Sequence, residues 1–172
     1  SLRRVYSDSD SIFLCVSGAL RGNDYHFASE KRKKELISPT KKLVYTIIKE
    51  NIEKFDIIRD LNNMDIDEFE SYFMQTNSPN GLTCLKAFSI YYKIEFWVYE
   101  IEKKIQSYPR IINTGFLAEK KVFIFIDKTK DKPIYCYLVA KYKENQTEVS
   151  IFGADDKFAE VHAIGAMQKY QS

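Results

Sequence analysis

Glycine, cysteine and histidine are all scarce in this sequence, and each scarcity removes a class of chemistry. Six glycines in 172 residues leave no phosphate-cradling glycine loop and no dinucleotide fingerprint. The cysteines, Cys15, Cys84 and Cys136, are three in number, lie within apolar patterns and share no metal-ligand spacing. They read as reduced, buried thiols of a cytosolic or nuclear compartment, not as disulfides or zinc ligands. No cofactor and no metal is implied. Only two histidines, His26 and His162, can take up a proton near neutral pH. No apolar run reaches the length of a membrane span, and the segment "SLRRVYSD" is neither a signal peptide nor a clear targeting sequence. The expectation is an intracellular protein, cytoplasmic or nuclear, with no membrane partner. Charge of one sign is lacking too: the net charge is +2, and the basic run "EKRKKE" is flanked by acids. It reads as a solvated helix face, not as a broad nucleic-acid field.

What is present is apolar and aromatic. An apolar fraction of 45%, with twelve Tyr and twelve Phe, argues for a packed core, and 172 residues fit one domain, residues 1–172, without disulfide or metal staples. The first half has helical period. "SIFLCVSGAL" from Ser11 predicts a short buried helix ended near Gly22, followed by a polar connection with room for another short helix. Ser38 before Pro39 signals the start of a long amphipathic helix, with Leu43, Val44, Ile47, Ile48, Ile52 and Phe55 on one side and Lys41, Lys42, Lys49, Glu50 and Glu53 on the other. Asp65 with Glu68 three residues on gives a capping pattern for the next helix. "LTCLKAFSIYYK" carries another. After Lys93 the period becomes extended: "IEFWVYE" alternates, "KVFIFID" and "PIYCYLVA" are apolar on both faces as in central strands, and "DKTKDK" joins them as a hairpin. "EVSIFG" predicts a further strand and "DDKFAEVHAIGAMQKY" a terminal helix. Helices first and an antiparallel meander later make the class α+β.

The stretch "SDSDSIFLCVSGAL" leaves two readings of Ser11 open. A Ser or Asp before an apolar helix satisfies the free N–H groups of the first turn. A nucleophile at the same place would sit beside those donors and the positive end of the helix dipole.

Taken in order, these segments resemble the ovarian tumour (OTU) family of papain-like cysteine deubiquitinases. The family's opening motif, close to Asp-Gly-Asn-Cys-Leu-Phe, reads here Asp8-Ser9-Asp10-Ser11-Ile12-Phe13. The block from Glu68 to Glu100 is similar to the family's segment of helix, glycine-containing turn, helix and strand ending in a phrase like I-x-V-Y-E. The resemblance is nearest to the founding, germline branch, in which a Ser can stand at the nucleophile position. It implies a central, mainly antiparallel sheet flanked by helices, the nucleophile's place at Ser11, and an oxyanion-shaping loop at Asp8. It also implies a catalytic His at the start of the strand closing the hairpin, where this chain has Pro133 or Ile134. Neither accepts a proton. His26 falls in a polar connection, and His162 reads as a partly buried helix histidine near Phe158 and Ala166.

Ser9 for glycine, Ser11 for cysteine and Ile134 for histidine depart in one direction while the apolar positions persist. The implied protein is a degenerate OTU domain, a pseudoenzyme that binds a protein partner such as ubiquitin. Candidate contact regions are the turn "TNSPNG", the loop "DKTKDK", and Tyr135 or Tyr137. The alternative is an active isopeptidase in which Ser11 attacks directly, or stands where a native Cys was replaced. A third reading, RNA association, rests on the basic runs Lys31 to Lys34 and Lys128 to Lys132 alone.

Overall fold

In the computed structural model, residues 1–4, 11–55, 65–75, 81–102, 108–113, 117–142 and 147–171 are described. The helical half comprises α1 (Ser11–Arg21), α2 (Asn23–His26), α3 (Glu30–Glu35), α4 (Ile37–Glu50), α5 (Ile66–Gln75) and α6 (Gly81–Tyr92). The sheet is built from β1 (Leu2–Arg4), β2 (Ile94–Ile101), β3 (Arg110–Ile112), β4 (Lys120–Asp127) and β5 (Ile134–Leu138), in the order β1-β5-β4-β2-β3. A short ladder of β6 (Ala140–Lys141) and β7 (Glu148–Val149) stands apart, β8 (Phe152–Gly153) pairs with the start of β4, and α7 (Lys157–Gln171) closes the chain. The class is α+β, with a central, mostly antiparallel sheet.

The doubly apolar strands are buried as their sequences require. Every residue of β4 after Lys120 is buried. Side-chain alternation divides the core. Ile94, Phe96 and Val98 of β2, with Val122, Ile124 and Ile126 of β4, pack under α1, α4, α5 and α6. On the other face Tyr99, Ile101, Phe123 and Phe125 meet Ala159, Ala163 and Met167 of α7. Tyr99 and Phe125 stack there at 5.2 Å between ring centroids.

The ends follow local chemistry. Gly22, with φ 61°, terminates α1 in the left-handed region that favours glycine. The Asp65 cap is present, its Oδ1 accepting from Glu68 N at 2.8 Å. Asp156 caps α7, accepting from Ala159 N at 3.0 Å. Gly18 permits the close approach of α1 to β5, since a Cβ there would lie 2.8 Å from Tyr137 Cε1.

Several expectations need correction. The long helix begins at Ile37, before the Ser38-Pro39 signal; Pro39 stays in its first turn, where a missing N–H costs no intrahelical bond. Lys41 is not on the solvated side. It lies three and seven residues before Val44 and Ile48, hence on their face, and is 6% exposed with Nζ 6.0 Å from the Phe13 ring centre. The meander is interrupted, because β4 pairs with β2 in parallel from Ile94↔Lys120 to Ile101↔Asp127, while β3 returns antiparallel on the outer edge of β2. "EVSIFG" is two strands, divided where the buried Ser150 donates to Ala19 O at the end of α1. The edge strand β1, held by its ladder to β5 and by an Arg3–Glu148 ion pair, was not foreshadowed by pattern.

Candidate functional site

The heads of two helices and one strand residue converge on the sheet face that carries α1. Ser11 is the first residue of α1 and Gly81 the first of α6. A Cβ built on Gly81 would lie 3.9 Å from Ile12 Cγ1 and 3.6 Å from Tyr135 Oη. The two helix starts and the Tyr135 phenol therefore border one small volume. Ile12 and Phe13 anchor the head of α1, at 2% and 1% exposure. Asp8 lies outside the described residues, as do residues 76–80 of the segment "TNSPNG".

Ile134 opens β5 opposite Asp127, and it packs in the cluster under α7, with Tyr99, Ile101 and Cys136. Tyr135, Tyr137 and Val139 take the α1 face. The strand therefore offers Tyr135, not Ile134, to the head of α1. Tyr135 is half-buried, and burial pushes its phenol up, with the Cys84 and Cys15 thiols adding to the effect. Tyr137 is buried at 2% exposure, so of the two aromatics considered for a contact surface only Tyr135 reaches solvent.

Neither nearby thiol is an activated one. Cys15 and Cys84 are fully buried and free, and burial raises both, a nearby Cys136 adding to the shift of Cys15 and Lys41 opposing that of Cys84. The imidazoles lie elsewhere. His26 ends α2, beyond Arg21, which is about 15 Å along α1 from Ser11 at the helical rise per residue. His162 sits on α7 across the sheet, beside Val139, Ala140, Lys141 and Glu148. It is exposed, not partly buried, because the inward face of α7 is Ala159, Ala163 and Met167.

The hairpin loop 128–133 is exposed, but its base is fixed. Asp127, 3% exposed, accepts from Thr129 N at 2.9 Å, from Thr129 Oγ1, and from Tyr170 Oη of α7 at 2.9 Å. Burial works against its charge, and the bonds from Thr129 and Tyr170, with Lys130 nearby, outweigh burial and hold the carboxyl below its ordinary value. Sequence reading gave Asp127 no role. Its one signal was an acid at the end of an apolar strand two residues before a Thr, an Asx-turn pattern.

The basic run on α3 is paired with its own acids, Lys33 with Glu30 at 3.7 Å and Arg32 with Glu35 at 3.8 Å. Among the described residues no group of three His, Cys, Asp or Glu could hold a metal, and no helix is long and apolar enough to cross a membrane.

Helix-flanked mixed sheet, buried first helix and closing hairpin define an OTU-type fold. Solved structures similar to it include two OTU domains. An ovarian tumour (OTU) domain in complex with ubiquitin superposes with a TM-score of 0.67 at 14% identity, covering 96% of this chain and 83% of that one. The OTUD1 OTU domain gives a TM-score of 0.58 at 12% identity, covering 80% of this chain and 85% of that one. No protein-family model and no curated protein matches the sequence.

Proposed function

We propose that this chain is a non-catalytic OTU-type module that binds a protein partner, with ubiquitin the first candidate. The observation that carries this reading is the placement of the two imidazoles, one at the far end of α1 and one across the sheet. A Ser hydroxyl requires a general base within hydrogen-bond reach throughout attack. At the head of α1 the sheet supplies a phenol, which is a proton donor at neutral pH. On this reading Ser11 keeps the nucleophile's place and Asp8 the oxyanion loop's, without turnover. The similar OTU domain that was solved with ubiquitin bound makes ubiquitin the ligand to try, and the half-buried Tyr135 with the loop 128–133 is the surface to try first.

The test pairs binding with hydrolysis. Labelled mono-ubiquitin and linked chains are titrated, with saturation expected below about 1 mM, and the same chains are incubated with the protein and with Ser11→Ala. Saturable binding without cleavage supports the module. Cleavage that Ser11→Ala abolishes overturns it in favour of an isopeptidase, and absence of saturation removes ubiquitin as the ligand.

A further inference from the structure

We propose that the outer face of α7, with the cleft beside it, docks an acidic amphipathic helix of a protein partner. The proposal is independent of the ligand assigned to the head of α1, because α7 covers the opposite face of the sheet. Helical period decides which residues face outward. Ala159, Ala163 and Met167 are buried against the sheet, so Phe158, Val161, Gly165 and Gln168 fall on the opposite side. Their spacing of three, four and three residues is that of a coiled-coil seam. Phe158 is 77% and Val161 69% exposed, so α7 is apolar on both sides, as a helix with a second packing partner would be. Gly165 leaves the seam open. A Cβ there would meet nothing within 4 Å, so no contact within the described residues accounts for a residue that helix interiors disfavour. Beside it lies a cleft of about 530 Å³ between α7 and β1, walled by Leu2, Val161, Gly165 and Ala166, with room for an apolar anchor of the partner.

Charge selects the occupant. Of the ionisable residues of α7, Lys157, His162 and Lys169 are exposed beside the seam, whereas its one carboxylate, Glu160, is turned to the buried Lys121 ammonium at 3.3 Å. Glu148, on the far side of the helix's flank, is ion-paired with Arg3. The face therefore presents bases around an apolar strip, and a helix with apolar residues along one side and carboxylates beside them complements it. A second copy of the chain does not. Antiparallel pairing of the seam would set Lys157 against Lys169, and parallel pairing would set each base near its own copy.

The probe is a synthetic peptide of about three heptads with Leu at the a and d positions and Glu at e and g, compared with the same peptide carrying Lys at e and g. Each is titrated into isotope-labelled protein and followed by amide NMR. The glutamate peptide is expected to saturate below about 1 mM, to shift the Phe158, Val161 and Gly165 amides, and to bind at least about tenfold more tightly than the lysine peptide. Val161→Glu weakens that binding by about tenfold or more, and Lys157→Glu combined with Lys169→Glu reverses the preference between the peptides. Val161, Lys157 and Lys169 are all exposed, and a urea midpoint measured for each variant checks that it folds. Should a variant fail to fold, the comparison of the two peptides on the unaltered protein still decides. Absence of saturation, equal affinity for the two peptides, or shifts confined to the head of α1 overturns the proposal. So does tighter binding of phosphatidylserine vesicles than of the glutamate peptide, which would make the face a membrane contact, and so does self-association that Val161→Glu abolishes. Ubiquitin is absent from the assay, so failure of the ubiquitin reading and failure of this one are separate results.

Discussion

Replacing Asp127 by Asn isolates the tie between the β4–β5 hairpin and α7. The carboxylate accepts three hydrogen bonds, two from Thr129 and one from Tyr170. A bond to a charged acceptor contributes about 1.5–3 kcal/mol against about 0.5–1.5 for a neutral pair. An amide has one acceptor oxygen, which can keep the two bonds from Thr129; the Tyr170 hydroxyl must then turn to accept from the amide N–H, and all three bonds lose charge assistance. Asp127→Asn should therefore cost about 2 kcal/mol or more at neutral pH. The pH dependence sharpens the test. The folded-state pKa of Asp127 lies below its unfolded value, so its contribution is fully present above the unfolded value, near 3.9, and is lost as pH falls through the folded one. Urea unfolding at a series of pH values should show the gap between wild type and variant constant from pH ~7 to ~5 and closing below pH ~4. Asp156 is also held below its ordinary value but is common to both proteins and cancels in the difference. A gap that persists undiminished in acid would refute the assignment of the stabilisation to the ionised carboxylate.

Two further substitutions test the packing around α1 and α6. Gly18→Ala gains about 1 kcal/mol of helix propensity, but its Cβ would meet the buried Tyr137 ring at 2.8 Å, an overpacking cost of about 1–3 kcal/mol. Net destabilisation is expected, with a less than additive loss when Tyr137→Leu is combined with it; equal losses in both backgrounds would contradict the contact. Ser89 Oγ in α6 is fully buried with no hydrogen-bond partner among the described residues. Ser89→Ala removes an unsatisfied group and should raise stability by about 1 kcal/mol, read as a higher urea midpoint at unchanged slope; a loss would reveal a partner for the hydroxyl.

The fold was legible wherever burial follows period. The apolar runs of β4 and β5, the Asp65 cap and the Gly22 stop all express local rules that tertiary context leaves intact. Pairing partners were not legible. Whether β4 joins β2 in parallel or antiparallel depends on the connection between β3 and β4, and period says nothing of connections. Lys41 departs for a different reason: its charge points to solvent, whereas its spacing from Val44 and Ile48 points inward, and spacing prevails.

The same distinction governs the site. Placing a histidine-equivalent by counting along "DKPIYCYL" leaves an uncertainty of one residue, and in a strand one residue is the difference between the two faces of the sheet. Here that step separates an isoleucine under α7 from a tyrosine at the head of α1. Which side chain of β5 faces the head of α1 therefore depends on strand register, which long-range packing determines: Ile134 opposite Asp127, Tyr135 opposite Ile126, and Cys136 opposite Phe125. Stacking of Phe125 on Tyr99 beneath α7 and burial of Ile126 beneath α1 fix those partners in turn. The phenol at the head of α1 is thus held in place by apolar contacts on both faces of the sheet, and a substitution that slipped β5 by one residue would exchange it for the Ile134 side chain or the Cys136 thiol.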